Sequence, residues 1–355
     1  MWDTKRGLTI LIATYNASGM IEETLRRLAV MEKVPGLPWE VLLVDNNSVD
    51  DTVEKARKAW KEPVELRILH EAQQGAGYAA FRGMKEAGYD YIGFVDQDNW
   101  VRHDWMIKTV SHLDVAENAA IICAKGSPVF ETKAPPWFTR YQQNFAVGPQ
   151  SDSNGAAKNL HSYFYNAASI MRKAAFDNLL RVGFIPLMKS RATNQLLAGD
   201  DTEIQILFKL QGWEVHYQDD ICFDHFMPRQ RLTFDYFRKM RMGMGASSVY
   251  LGIYRAALTA HVEGGQRSEM TWKKALGNSF TRTFRDPLAI AASFLPKYAS
   301  NHRVASYWAN LGEFQERYRL KGKLDEVRYE LDNWLVSWMG DVRKKLSTSS
   351  GKEAF

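Results

Sequence analysis

The chain has 355 residues, 45% of them hydrophobic, and a formal charge of +5, a balance that allows a substantial soluble core and excludes an intrinsically disordered protein. Its pI near 9.0 suits an anionic small ligand or a phospholipid surface, while the absence of a compact Lys/Arg run interleaved with aromatics argues against nucleic acid as a partner. Cys123 and Cys222 sit among apolar residues without the paired spacing of a zinc site, which predicts buried free thiols and a reducing, cytoplasmic setting.

The opening MWDTKRGLTILIATYN passes from a short polar lead into an apolar strand, LTILIA at 8–13, where a signal peptide would need a long hydrophobic region. Apolar stretches such as LAIAASFL at 288–295 are too short to span a bilayer, so membrane contact is expected to be at most peripheral, at the inner face. A helix with Ile21, Leu25 and Leu28 on one face follows, then EVLLV at 40–44 and a helix carrying Val53, Ala56 and Trp60. ELRIL at 65–69, another helical stretch and YIGFV at 91–95 complete the pattern. Such βα alternation predicts an α/β fold with a mostly parallel sheet flanked by helices.

Ligands of such sheets bind beyond the carboxyl ends of the strands. There the sequence places TYN (14–16), DNNSVDD (45–51), EAQQGAG (71–77) and DQDN (96–99). Each loop alone reads as caps and turns. Four in succession predict a binding edge.

After residue 118 the alternation weakens. AAIICA at 119–124 reads as a strand, and 133–159 as a long irregular segment whose Trp137, Phe138, Tyr141 and Phe145 suggest a lid or a substrate wall. YNAASIM (165–171), a helix from about 173, the helix at DDTEIQILFKLQG, the strand WEVHY (213–217) and a helix from about 233 follow. From about 270 the pattern is helical, basic and rich in Trp.

Asp96 and Asp98 in FVDQDNW invite three chemistries. GAGYAA at 75–80 with Asp96 about twenty residues on resembles a dinucleotide fingerprint, but its first glycine lies several residues past the strand and Asp98 is left without a role. A haloacid-dehalogenase-like phosphatase would use Asp96 as nucleophile and the later GDD at 199–201, but Asn99 and Trp100 replace the usual Thr or Val and three βα units precede the motif. The third is a shared Mg²⁺ or Mn²⁺ that offsets the charge of a departing nucleoside diphosphate. Two ionised carboxylates without a cation would repel one another, which favours bound metal.

Taken together and in order, ILIATYN, EVLLVDNNSVDDT, GAGYAAFRG, FVDQDN and LAGDDTEI resemble the family 2 glycosyltransferases of the GT-A fold, over residues 8 to about 250. The resemblance implies a metal-dependent inverting transfer from a nucleotide diphosphate sugar, UDP-sugar ahead of GDP- and dTDP-sugars, to an acceptor hydroxyl. A glycan or lipid-linked acceptor in polysaccharide or glycoconjugate biosynthesis is the implied setting. By the same resemblance Thr14, Tyr15, Asn16 and Asp45 serve the nucleotide, Gly77 and Arg82 the diphosphate, Asp96 the ribose side and Asp98 the metal. Gln97 stands where a third acid is frequent. Asp201 maps to the general base, with Asp200 in place of the usual Glu; His225 maps to a metal or diphosphate contact, and Arg229 and Arg231 to groups closing over the diphosphate.

The implied organisation is a transferase domain at 1–250, with a nucleotide half at about 1–118 and an acceptor half at about 119–250, then a helical extension at 251–355. For that extension, with Trp272, Trp308, Trp334 and Trp338, a packed appendage, a homodimer contact and an interfacial membrane anchor all stay open. The phosphatase and a sugar-nucleotide-binding relative without transfer activity remain the competing readings.

Overall fold

Leu8, Ile10, Leu11 and Ile12 are all buried in the first strand, and they divide between two cores. Side chains alternate across a strand, so Leu8, Ile10 and Ile12 pack with Ile21, Leu25 and Leu28 of the first helix, while Leu11 packs with Ala79 and Met84 on the other face. A sheet covered on both faces needs such continuous apolar runs. The structure is a computed structural model that describes residues 5–181, 183–184, 186, 199–263, 271–331, 333–335 and 338.

In chain order the elements are β1 (Lys5–Thr14), α1 (Ile21–Val30), β2 (Trp39–Asp45), α2 (Thr52–Ala59), β3 (Leu66–His70), α3 (Ala76–Glu86) and β4 (Tyr89–Phe94). Then come β5 (Asn99–Val101), α4 (Trp105–Val115), β6 (Ala119–Phe130), α5 (Phe138–Tyr141), β7 (Gly155–Ala156), β8 (Ile170–Arg172), α6 (Lys173–Arg181), α7 (Asp200–Leu210) and β9 (Glu214–Met227). The last are α8 (Phe234–Glu263), α9 (Trp272–Phe284), α10 (Pro287–Ala292) and α11 (His302–Leu320).

The sheet order is β3-β2-β1-β4-β8-β6-β9-β5, with β7 also on β9. From β1 to β4 all pairing is parallel, as the alternation predicts. Beyond β4 the sheet is mixed: β8 runs antiparallel to β4 and β6, and β5 and β7 run antiparallel to β9, while β6 and β9 are parallel.

Two sequence boundaries move. YNAASIM contributes only Ile170–Arg172 to the sheet, because Ala168 adopts a positive φ of 53° that breaks the extended run. WEVHY instead opens a 14-residue strand that reaches Met227, so His225 lies within β9 and not in a loop behind it. Asp219 and Asp220 sit where the β6–β9 register shifts between Cys123 and Lys125. Of the two predicted buried thiols, Cys123 is buried and Cys222 is only half-buried.

The aromatic segment after β6 is a wall. Trp137, Phe138, Phe145 and Val147 are buried against Met227, Leu232, Phe237 and Met240, and the Gly148 amide donates to the Gly126 carbonyl at 2.9 Å. Rings packed this way anchor the segment to β9 and α8.

α8 runs unbroken across residue 250, so the boundary read there falls inside a helix shared by both regions. It crosses α11 with backbones nearly touching: a Cβ on Gly245 would lie 1.8 Å from the Ala309 carbonyl oxygen, and one on Gly312 would lie 2.0 Å from that of Met242. Trp308 and Trp338 are buried, and Trp272 and Trp334 are half-buried, so the tryptophans serve mainly as packing. Gly312→Ala is expected to destabilise the protein by about 3 kcal/mol through forced separation of the two helices, read as a lower urea midpoint with an unchanged slope.

Candidate functional site

The β1–β2 register ends at Thr14 opposite Asp45, and the chain turns sharply after each. Asn16 takes a positive φ of 48°, its amide donates to Ser48 Oγ at 3.0 Å, and its side-chain oxygen accepts from the Val49 amide at 2.9 Å. Asn16 therefore ties the two loops together and does not line the cleft. Asp45 is 7% exposed, accepts from the Ser48 amide at 3.3 Å and lies 3.6 Å from His70 Nδ1; it too stands behind the cleft surface. Thr14 and Tyr15 do line it. Tyr15 is 45% exposed, which leaves a ring face free for a flat ligand.

Asn46, which carries no sequence signal beyond its place in a polar loop, shapes the next turn. Its Oδ1 accepts from the Gly75 amide at 2.6 Å, and its Nδ2 donates to the carbonyls of Glu71 and Gln73 at 3.0 and 2.6 Å. Gly75, at φ 145°, then turns the chain into α3, whose first turn faces the cleft at Ala76 and Gly77. The positive end of a helix dipole favours a diphosphate. Arg82 does not join them. Five residues past Gly77 it is rotated by about 140° around the helix, pairs with Glu86 at 3.2 Å and lies outside the cleft lining.

Gln97, in the place of a frequent acid, has a structural job. Its Oε1 accepts from Thr14 Oγ1 and the Tyr15 amide, both at 2.9 Å, and its carbonyl accepts from Thr24 Oγ1 at 2.7 Å. The amide side chain thus fastens the loop after β4 to the end of β1. Asp96 lines the cleft and accepts from Asn99 Nδ2 at 3.1 Å.

Directly after this loop β5 pairs antiparallel with β9: Asn99 opposes His225, Trp100 opposes Asp224 and Val101 opposes Phe223. The Phe226 amide also donates to the Asp98 carbonyl at 2.9 Å. Asp98, 3% exposed, is thereby set against His225 and Arg231. His225 Nε2 is 3.5 Å from Asp98 Oδ1, and Arg231 Nη1 is 3.2 Å from His225 Nε2. Arg231 Nη2 lies 2.7 Å from Asp98 Oδ2, as an ion pair rather than an aligned hydrogen bond. Burial alone would raise the Asp98 carboxyl, but the charges of Arg231 and His225 outweigh it and hold the group well below the usual carboxylate range.

Arg229 departs from the site. Glu131, just past β6, accepts from its amide at 2.7 Å and from its guanidinium at 3.2 and 3.1 Å, which holds the side chain 69% exposed and outside the cleft lining.

Across the cleft, Gly199 at φ 124° turns the chain into α7, and Asp200, Asp201, Thr202 and Glu203 all line the cavity. Leu197 and Ala198 of the same motif lie outside the described residues. Asp201 Oδ1 accepts from the Thr202 amide at 2.7 Å. Burial, with a contribution from the Asp201 charge, pushes the Cys123 thiol well above its usual range, so the thiol stays protonated. Glu203 is 2% exposed and accepts from the Tyr254 hydroxyl at 2.7 Å.

The remaining wall was not legible in the sequence. Gln205 donates to the Phe164 carbonyl at 2.6 Å and to Asn166 Oδ1 at 2.7 Å and accepts from the Phe164 amide at 2.9 Å, which fixes the 164–166 turn. α8 adds Ser248, Leu251 and Arg255, with the Arg255 guanidinium 5.5 Å above the Tyr163 ring. The cleft so enclosed is about 1110 Å³, large enough for a nucleotide sugar with room for a second substrate.

Among the described residues no group of three or more His, Cys, Asp or Glu forms a metal cage. Asp98 and His225 nevertheless converge as an oxygen and a nitrogen donor, and His225 Nδ1 is buried without a hydrogen-bond partner. This donor set fits a cation shared with a bound diphosphate, which supplies the further oxygens.

Residues 9–180 match the model for glycosyl transferase family 2. A poly-beta-1,6-N-acetyl-D-glucosamine synthase of Staphylococcus aureus is 29% identical over 113 residues, which are 31% of this chain and 27% of that protein. The aligned stretch spans about a third or less of the curated relatives it matches. Among solved structures, the mannosyltransferase PcManGT of Pyrobaculum calidifontis, in complex with GDP-Man and Mn²⁺, superposes with a TM-score of 0.51 at 15% identity, covering 92% of this chain and 91% of that one. S. aureus TarS 1–349 with UDP-GlcNAc gives a TM-score of 0.48 at 16% identity, covering 88% and 91%. The mannosyltransferase likeness shows a shared GT-A fold. Because the family match includes Asp96 and Asp98, the phosphatase reading is set aside.

The Asp98 pair has a signed consequence for stability. A depressed carboxyl contributes stability above its unfolded value near 3.9 and loses it as pH falls through the lower folded value. Asp98→Asn, which leaves Arg231 without its counter-charge, is expected to cost about 3 kcal/mol at pH 7. Urea unfolding from pH 7 to pH 2 checks both points, since the gap to the unmodified protein should narrow only below about pH 4.

Proposed function

We propose that this chain, whose residues 9–180 belong to glycosyl transferase family 2, is an inverting, metal-dependent transferase that moves a sugar from a nucleotide diphosphate to an acceptor hydroxyl. The observation that carries this reading is the convergence of Asp98, His225 and Arg231 in a cleft that Asp200 and Asp201 also line. Donor and acceptor chemistry need those two sides. A UDP-sugar is the favoured donor, and a glycan or lipid-linked hydroxyl in polysaccharide or glycoconjugate biosynthesis the favoured acceptor.

In this reading Tyr15 presents its ring to the base, Thr14 flanks it, and Asp96 faces the ribose. The start of α3, at Gly77, directs the positive end of its helix dipole to the diphosphate. Asp98 and His225 would hold Mg²⁺ or Mn²⁺, which would offset negative charge on the leaving diphosphate. Arg231, 2.7 Å from Asp98, supplies a guanidinium of the same cluster to the phosphate oxygens. Asp201 accepts the proton of the acceptor hydroxyl as its oxygen attacks the anomeric carbon and the bond from that carbon to the phosphate oxygen breaks. Attack from the side opposite the leaving group inverts the anomeric centre. Asn16, Asp45, Arg82 and Arg229 have no direct substrate contact in this scheme; the first two support the nucleotide loops from behind.

The test is a screen of UDP-, GDP- and dTDP-sugars for Mn²⁺-dependent binding and slow hydrolysis. One donor class is expected to bind and turn over, with both effects removed by chelator; no binding in any class overturns the proposal. Asp201→Asn is expected to lower turnover by a factor of about 10² or more while donor affinity persists. Full turnover by that variant would move the base elsewhere, and binding without turnover by the unmodified protein would favour the non-catalytic relative.

A further inference from the structure

Outside the cleft, exposed apolar residues are not spread evenly. Of the thirteen large hydrophobic side chains exposed among the described residues, six fall within positions 280–298. They are Phe280, Phe284, Leu288, Phe294, Leu295 and Tyr298, at 51, 40, 75, 62, 46 and 39% exposure. Exposed apolar residues scattered singly are ordinary, whereas a concentration on consecutive short elements marks a contact surface.

The charge around them has one sign. Positions 271–321 hold nine Lys/Arg and three Asp/Glu, a net +6 in a chain whose total is +5. All three acids are already neutralised: Asp286 by Arg303 at 2.5 Å, Glu313 by Arg282 and Arg317 at 2.7 and 2.9 Å, and Glu316 by Arg319 at 2.5 Å. Lys273, Lys274, Arg285, Lys297 and Lys321 have no carboxylate partner among the described residues. On α9, Lys273, Phe280 and Phe284 recur at intervals of seven and four residues and so share one face. A small recess of about 100 Å³ beside it is lined by Arg282, Arg285, His302 and Arg303 together with Asp286, the carboxylate that Arg303 pairs.

We propose that α9, α10 and the turn leading to α11 form a docking face for an anionic phospholipid surface. The apolar side chains enter the acyl boundary while the unpaired cations and the arginine-lined recess meet headgroup phosphates. No described helix is long and apolar enough to cross a membrane, so the contact is interfacial. A protein partner of the same apolar character would not call for an excess of cations whose own acids are already paired. The proposal rests on none of the cleft residues and stands apart from the transferase reading.

Flotation of the full chain with vesicles of phosphatidylcholine alone or with phosphatidylglycerol tests it. Binding is expected to the anionic vesicles only, and to fall away at about 0.5 M salt as the charges are screened. Leu288→Ser with Phe294→Ser is expected to lower partitioning about tenfold or more, from two lost apolar insertions. Lys273→Glu with Lys274→Glu should do the same without touching the apolar face, so a fold defect in one variant leaves the other as a test. Equal binding to neutral vesicles, no binding to anionic ones, or unmodified behaviour of both variants overturns the proposal. So does a dimer that the serine variant converts to monomer while vesicles are ignored, because the face then belongs to a second copy of the chain.

Discussion

The three-residue pairing of β5 with β9 holds the site together. It takes a loop that has just left the parallel half of the sheet and fastens it to a strand more than a hundred residues further on. Asn99 opposes His225, so Asp98 is carried beneath the imidazole and into reach of the Arg231 guanidinium. A carboxylate this deeply buried would otherwise favour its neutral form. The surrounding positive charge keeps it ionised, which makes the stability of the fold depend on groups that line the cleft.

Around that bolt the protein uses polar side chains as ties between loops. Gln97 fastens the β4 loop to β1, Asn46 holds the β2 loop to the start of α3, Asn16 joins the β1 and β2 loops, and Gln205 secures the 164–166 turn. Asn46 and Gln205 are buried, where a lost hydrogen-bond partner is costly, while Asn16 is exposed and Gln97 half-buried. These ties leave Thr14, Tyr15 and Asp96 as the groups presented to the cleft. α8 then links this region to the C-terminal helices, because one side of it lines the cleft and another crosses α11 at Gly245 and Gly312.

Local pattern was a good guide where the contact partners lie close in sequence. β1 to β4 and their helices, the polar strand-end loops and the acidic start of α7 follow from periodicity and turn chemistry. The guide failed for residues whose direction is set elsewhere. Arg82 and Arg229 look like phosphate contacts in the chain, but one is rotated away on α3 towards Glu86 and the other is claimed by Glu131. For the tryptophans of the C-terminal region a packed appendage and an interface were both open; most of their surface goes into packing, and the exposed apolar residues there include phenylalanines, leucines and tyrosines. Long cationic side chains are especially hard to place from sequence, since a nearby carboxylate can redirect them at little cost in backbone energy.

The sequence alone determined the parallel half of the sheet, the strand-end edge that borders the cleft and the order of motifs that resembles family 2 glycosyltransferases. These depend on apolar periodicity and on short loops, which are local properties. Only the tertiary structure decided which charges meet: β9 had to run through Asp219 and Asp220 to deliver His225, and β5 had to pair with it, before Asp98 acquired Arg231 as a neighbour. Strand pairing across such a distance is set by the burial of alternate side chains and by register, and neither is written in the few residues that carry the chemistry.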